Sequence, residues 1–265
     1  MKKIYFFSLL ILLTACKKNV DITQEMDSEP DTEKAVIISK QPLLRTTVTL
    51  DATHSDSALV QMPLLSRTAK YPLLISFSGL GGRSAHGNLD VVDGVANKIR
   101  NGMIIPGNMI IVCPQNYTGY YAANQINAII NYCISHYPVD TSRIYLAGFS
   151  AGGYNVLNYL TEKPENAQRL AAAVVISSLN IDATHSNQLK FIADQHLPMQ
   201  LYCGTNDGLF GNNKKYAETV NSFAPGLVQF ISYNGAHDGW SALYSPTHKF
   251  YNPNMYEWMT QYSRK

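Results

Sequence analysis

Charge is scarce in this chain of 265 residues: Asp, Glu, Lys and Arg make up 15% of it and nearly cancel, leaving +2. Such a balance carries no electrostatic footprint for nucleic acid. Cysteine is scarce too, with four residues, and neither they nor the seven histidines show metal-ligand spacing. No segment repeats, so solenoids and propellers are excluded. No apolar run is long enough to span a bilayer as a helix. What remains is 46% hydrophobic, rich in tyrosine, and of a length that suits one α/β domain with a large core.

The N-terminal segment sets the expected compartment. Lys2 and Lys3 precede an apolar run from Ile4 to Leu13, and Thr14-Ala15-Cys16 follows. The run fits the h-region of a secretory signal, and the ending L-T-A-C resembles the lipobox of bacterial lipoproteins. Residues 1–15 are therefore expected to be a signal peptide and Cys16 the lipidated first residue of the mature chain. The next stretch, 17–34, holds six acids, three lysines and no aromatic residue. It cannot bury enough apolar surface to fold, so 16–34 reads as a lipidated, disordered tether and 35–265 as the folded domain. The expected location is the bacterial cell envelope, with membrane contact through the lipid alone. Cys113 and Cys203 fall in apolar strand-like runs and Cys133 in a helix. Buried free thiols are expected there, although an oxidising compartment also permits a bridge.

Along the domain, "TTVTLDA" and "ALVQMPL" read as antiparallel edge strands. After them strands alternate with helices. "YPLLISFSG", "GNMIIVCPQ", "SRIYLAG", "LAAAVVISS", "PMQLYCG" and "GLVQFISYNG" read as strands. "YYAANQINAIINYCISHY", "AGGYNVLNYLTEK", "SNQLKFIADQH", "NNKKYAETVNSFA" and a closing "NPNMYEWMTQYS" read as helices. This alternation predicts a mostly parallel sheet with helices on both faces. Sites in such sheets lie beyond the carboxyl ends of the strands.

Three such ends carry chemistry. Gly148-Phe149-Ser150-Ala151-Gly152 stands between a strand and a helix, the context of a nucleophile elbow. A serine needs a base, and the base needs an orienting acid. Asp207 follows the "PMQLYCG" strand and His237 follows "GLVQFISYNG". The rivals Asp182 and Asp238 follow an earlier strand or adjoin the histidine itself. "FSGLGG", Phe77 to Gly82, places the Leu80 N–H as one oxyanion donor, with the Ala151 N–H as the second. Gln115, Asn116, Tyr117, Tyr120 and Tyr121 stand at the presumed mouth, where they would bind a sugar or aromatic acyl group, or simply begin a polar helix. Trp240 either walls the pocket beside His237 or packs on the last helix. His86 follows the oxyanion loop within reach of a substrate.

The stretches "YPLLISFSGLGG", "VCPQN", "YPVDTSRIYLAGFSAGGYNVL", "GTNDGLF", "AHDGW" and "NPNMYEWM" resemble an α/β-hydrolase. The group is that of feruloyl esterases, polyhydroxyalkanoate depolymerases and secreted predicted peptidases, and the likeness runs from Tyr71 to Trp258. It implies an α/β-hydrolase fold without a large lid, since only a short segment separates Ser177 from Pro198. It also implies a serine ester hydrolase that needs no metal or organic cofactor. One departure stands out: the group carries His-Gly where this chain has Ser78-Gly79, which bears on the rigidity of the oxyanion loop. The expected substrates are short acyl or aromatic esters carried on carbohydrate. A serine peptidase on the same triad and a non-catalytic, glycan-binding envelope lipoprotein are the alternatives.

Overall fold

A computed structural model describes residues 43–264 apart from 53, 64–68, 85–87, 90–92, 239 and 248–251. The signal peptide, Cys16 and the tether lie outside the described residues, as do His86 and the side chain of Trp240.

The elements follow in chain order. Two strands come first, β1 (Leu43–Thr49) and β2 (Ser55–Gln61), then β3 (Tyr71–Phe77), a 3₁₀ turn (Leu80–Gly82), α1 (Gly94–Arg100) and β4 (Ile110–Gln115). The middle of the chain forms α2 (Ala123–His136), β5 (Val139–Phe149), α3 (Ala151–Glu162), α4 (Pro164–Gln168) and β6 (Ala172–Ile176). It continues with α5 (Ala183–Asn187), α6 (Lys190–Asp194), β7 (Met199–Gly204), α7 (Phe210–Phe223), β8 (Val228–Tyr233), α8 (Trp240–Leu243) and α9 (Met255–Met259).

The eight strands form one sheet in the order β1-β2-β4-β3-β5-β6-β7-β8. β1 pairs antiparallel with β2 and β2 antiparallel with β4, while all later neighbours are parallel. Every residue of β3 is buried, because helices cover both faces of a parallel sheet. The period of two sends Leu73, Ile75 and Phe77 to one core, shared with α2, α3, α6 and α7. Leu74 enters the other, shared with α1, α8 and α9. Each such side chain contributes about 1.5–3 kcal/mol against conformational entropy.

The structure departs from expectation in several places. β2 is not an edge strand, because β1 covers it, and the two edges are β1 and β8. The single helix expected over "SNQLKFIADQH" is two short ones. Asp182 caps α5 by accepting from the His185 N–H at 2.9 Å, and Gln188, at φ −98° and ψ 6°, ends that helix before α6 begins. The closing helix is short, starting after Asn254, which caps it. β5 begins earlier than "SRIYLAG" suggests, with an irregular register against β3 between Tyr71 and Leu73. α1 was not foreseen. Cys113, Cys133 and Cys203 are free and buried. Burial pushes the Cys133 and Cys203 thiols up to about 12. Among the described residues no helix is long and apolar enough to cross a membrane.

Candidate active site

β5 and β3 lie side by side at the middle of the sheet, and both end at the same rim. Glycine makes the turn out of β5 possible. A Cβ on Gly148 would sit 2.1 Å from the Gly152 carbonyl oxygen, and one on Gly152 would sit 2.1 Å from the Phe77 carbonyl oxygen. The start of α3 is thus pressed against the end of β3. Ser150 adopts φ 56° and ψ −113°, a backbone state costing about 1–3 kcal/mol for a residue with a side chain. Hydrogen bonds on both sides hold it there. Its N–H donates to the Ile176 carbonyl at 2.9 Å, and its carbonyl accepts from the N–H groups of Tyr154 and Leu179 at 3.0 and 3.2 Å.

The sharp turn aims Ser150 Oγ at His237, whose Nε2 lies 2.9 Å away. On the far side of the ring, His237 Nδ1 stands 2.8 Å from Asp207 Oδ2. The loops after β7 and β8 bring these two together. The Thr205 and Asn206 N–H groups donate to the Tyr233 and Gly235 carbonyls, and a Cβ on Gly204 would lie 2.2 Å from the Gly235 oxygen. Burial pushes the Asp207 carboxyl up, but bonds from Leu209 N–H, His237 and Ser177 outweigh it and hold the group below the usual carboxylate range. An ionised carboxylate only accepts. Nδ1 therefore carries the ring hydrogen, and the Nε2 lone pair faces the serine hydroxyl. The Asp207 side chain is 2% exposed and that of His237 40%. The acid is sheltered and the base is open to a ligand. Phe149 supports the imidazole face, ring centroids 4.9 Å apart.

Leu80 opens the 3₁₀ turn and Ala151 opens α3. The N–H of a first helical residue has no acceptor inside its own helix. The close approach of Gly152 to Phe77 and Ser78, and of Gly79 to Phe149, sets the two turns against each other beside Ser150.

The segment from Gln115 to 239, just under half of the chain, matches the model of the prolyl oligopeptidase family, and it contains Ser150, Asp207 and His237. No curated protein matches in sequence. Among solved structures the chain is similar to a thermostable esterase, with TM-score 0.66 and 21% identity over 84% of this chain. The chain spans only 63% of that esterase's length. A ferulic acid esterase aligns with TM-score 0.63 and 17% identity, covering 84% of this chain and 98% of its own. A fluorophosphonate-binding serine hydrolase of Staphylococcus aureus aligns with TM-score 0.60 and 14% identity, covering 84% of this chain and 99% of its own. The fold is that of an α/β-hydrolase.

Within this fold the mouth residues are placed unevenly. Gln115 is buried, and its Nε2 donates to the Gly82 carbonyl at 2.6 Å, so it braces the 3₁₀ turn of Leu80. Asn116 organises its own loop, accepting from Gly119 N–H at 2.6 Å and donating to the Tyr120 carbonyl at 2.7 Å. Tyr117 is 70% exposed and Tyr121 is buried. Asp182, the rival acid, is a helix cap bonded to His185 and does not face the site.

Three supporting residues were not read from the sequence. Asp93 stands where it could cap α1 but makes no side-chain cap bond. Its Oδ1 instead accepts from the Gly79 N–H at 3.1 Å. Burial pushes its carboxyl above the usual range, against hydrogen bonds from Ser78 and the Gly79 and Gly82 N–H groups. Where the resembling group has His-Gly, this chain has a serine leaning on a carboxylate. Ser177, fully buried at φ 44°, lies behind Asp207 and close to Cys203. Asn155, fully buried on α3, accepts from the Tyr121 N–H and donates to the Gly119 carbonyl, both at 3.0 Å. Only Asp93 left a local trace, as an acid just before a helical run.

Proposed function

We propose that the chain is a serine carboxylic-ester hydrolase that works through an acyl-enzyme. The observation that carries this reading is the unbroken relay Ser150 Oγ–His237–Asp207 at 2.9 and 2.8 Å, with the serine on a strained turn. Ser150 Oγ attacks the ester carbonyl carbon while His237 Nε2 takes its proton. The carbonyl oxygen becomes an oxyanion held by the Leu80 and Ala151 N–H groups. Asp207 fixes the ring and stabilises the imidazolium. The intermediate collapses, the C–O bond to the alcohol breaks, and His237 returns the proton to the leaving oxygen. Water then repeats the sequence on the acyl-serine, releasing the acid and restoring Ser150.

Short acyl or aromatic esters of carbohydrate are the substrate class we favour. Tyr120 and Tyr154 meet edge to face at 5.5 Å at the first turn of α3 and suit sugar or hydroxycinnamoyl rings. The likeness to a ferulic acid esterase supports the same class. A lipid on Cys16 would hold the enzyme in the bacterial envelope. The match to prolyl oligopeptidases favours a second reading, a serine peptidase on the same triad. The test is kcat/KM on matched acetyl, feruloyl, palmitoyl and peptide substrates, with a fluorophosphonate probe on wild type and Ser150→Ala. Ester hydrolysis should lead, and labelling should vanish in the variant. A peptide at the top would replace the esterase reading. An unlabelled wild type would leave the non-catalytic glycan binder.

A further inference from the structure

Two depressions adjoin on the α2–α3 side of the molecule. The upper one, about 530 Å³, is lined by Tyr120, Tyr154, Leu179 and Asn180 among others. Two of its lining residues are tied to the main chain of Ser150, since the Tyr154 and Leu179 N–H groups both donate to the Ser150 carbonyl. The lower one, about 700 Å³, is a trough between α2, α3 and α4. The two share Ala122 and Asn158. Asn158 lies two helical turns along α3 from Ser150, roughly 12 Å at 1.5 Å per residue.

The trough is lined by carboxamides to an unusual degree: Asn124, Asn127, Asn131, Asn158 and Asn166. Several are locked in place. Asn127 Oδ1 accepts from Tyr159 Oη at 2.9 Å and from Arg169, and its Nδ2 donates to Asn166 Oδ1 at 3.1 Å. Arg169 also donates to Asn131 Oδ1 at 2.7 Å. Groups fixed before a ligand arrives cost less to order on binding. At the junction of the two depressions, Asn158 Oδ1 is buried and has no hydrogen-bond partner. A buried acceptor left so is unfavourable, and a turn of the Asn158 side chain into the trough would let a ligand hydroxyl satisfy it.

The lining also says what does not belong. Glu162 and Glu165 are balanced by Lys163 and Arg169, so a polyanion gains nothing. The apolar part is three alanines, Ala122, Ala123 and Ala128, too shallow to hold an acyl chain or a large hydrophobic side chain. A carboxamide offers two donors and an acceptor, the complement of hydroxyls that both give and accept. We propose that the trough is a distal subsite for an uncharged oligosaccharide, whose near end bears the ester at Ser150. This rests on the esterase reading and extends it: the enzyme grips a chain, and a single sugar at the scissile bond would not reach the trough.

The experiment has two arms. In the first, kcat/KM is measured on p-nitrophenyl acetate and on acetylated or feruloylated xylo-oligosaccharides, for wild type, Ala128→Trp and Asn131→Ala. The ratio of oligosaccharide ester to small ester should fall about tenfold as packing room and hydrogen bonds are lost. A ratio unchanged in both variants overturns the proposal. In the second arm, Ser150→Ala is titrated with xylohexaose, mannohexaose, laminarihexaose and an uncharged Gly-Ser hexapeptide, reading asparagine side-chain amide shifts by NMR. Shifts at Asn131 and Asn158 with a hexasaccharide are expected. Shifts with the peptide alone, or with none of the four, overturn it. This arm does not depend on turnover, so it decides the trough even if no ester is cleaved and the esterase reading falls.

Discussion

Replacing Asp93 by asparagine should damage catalysis without touching a triad residue. Its carboxylate accepts from the Gly79 N–H at 3.1 Å and leans on Ser78, immediately before the Leu80 donor. A hydrogen bond to a charged group is worth about 1.5–3 kcal/mol and a neutral one about 1. Asparagine keeps the shape and one acceptor but loses the charge, for a net loss of about 1–2 kcal/mol in the rigidity of the turn. At about 1.4 kcal/mol per decade, kcat should fall roughly five- to thirtyfold. Alanine leaves the Gly79 N–H without that acceptor. Its ceiling is the loss of a whole oxyanion donor, roughly 10²–10³. Because the donor acts on charge that develops in the transition state, KM should move far less than kcat.

Acid provides the discriminating readout. The Asp93 carboxyl is raised by burial, so the folded state takes up this proton more readily than the unfolded chain does. The linkage therefore favours the folded protein below the unfolded value and fades as pH rises through the folded one. Acidification through that range should weaken kcat while circular dichroism and the melting temperature show no loss from this group. Asp93→Asn should lack that acid step. Steady-state kinetics on p-nitrophenyl acetate against pH tests this directly. Wild-type kcat in Asp93→Asn, or a change confined to KM, would refute the reasoning.

The other predictions concern the same rim. Leu80→Ala should be mild and Leu80→Pro should lower turnover roughly 10²–10³, since only proline removes the N–H; equal effects on kcat would count against a main-chain donor. Gly152→Ala places a Cβ 2.1 Å from the Phe77 oxygen and should cost about 1–3 kcal/mol or more with loss of turnover; a wild-type melting temperature would show the approach is looser than it stands. The Asp207 carboxyl is held below the usual range, so its contribution is present above the unfolded value of about 3.9 and lost as pH falls through the folded one. The urea-midpoint gap between wild type and Asp207→Asn should narrow in acid, and a gap constant from about pH 7 to 3 would rule this out. Cys16→Ser should release the protein from membranes, and a chain starting at Ala35 should keep full turnover; an unfolded product would make 17–34 structural.

The central strands were legible because each is a short apolar run closed by glycine or by a polar turn, as β3 and β7 show. The Ser150, Asp207 and His237 positions were legible for a related reason: all three stand where a strand pattern stops, and the parallel order predicts that such stops share one rim. The split between α5 and α6 was hidden, because the apolar spacing runs on through the break at Gln188, whose φ −98° and ψ 6° end α5. Gln115 looked like a substrate contact because its partner, the Gly82 carbonyl, is 33 residues away in sequence. Asn155 was silent for the same reason, and the trace that Asp93 left, an acid before a helical run, pointed to a cap it does not make instead of to the Gly79 N–H.

Asn155 has a wider reach than its two hydrogen bonds suggest. It sits on the helix that follows Ser150 yet holds both ends of the Gly119–Tyr121 turn, one by its oxygen and one by its nitrogen. The aromatic lip of the cleft is therefore bolted to the element that carries Ser150. Local opening of that lip must break a buried carboxamide's bonds, so the Tyr121 amide should exchange with solvent on the slow schedule of the α3 core, while Tyr117, a few residues away, exchanges like a surface loop. The entrance is then rigid on the inner side and pliant on the outer. Under the esterase reading, a substrate entering over the pliant side would meet a wall already fixed in register with Ser150.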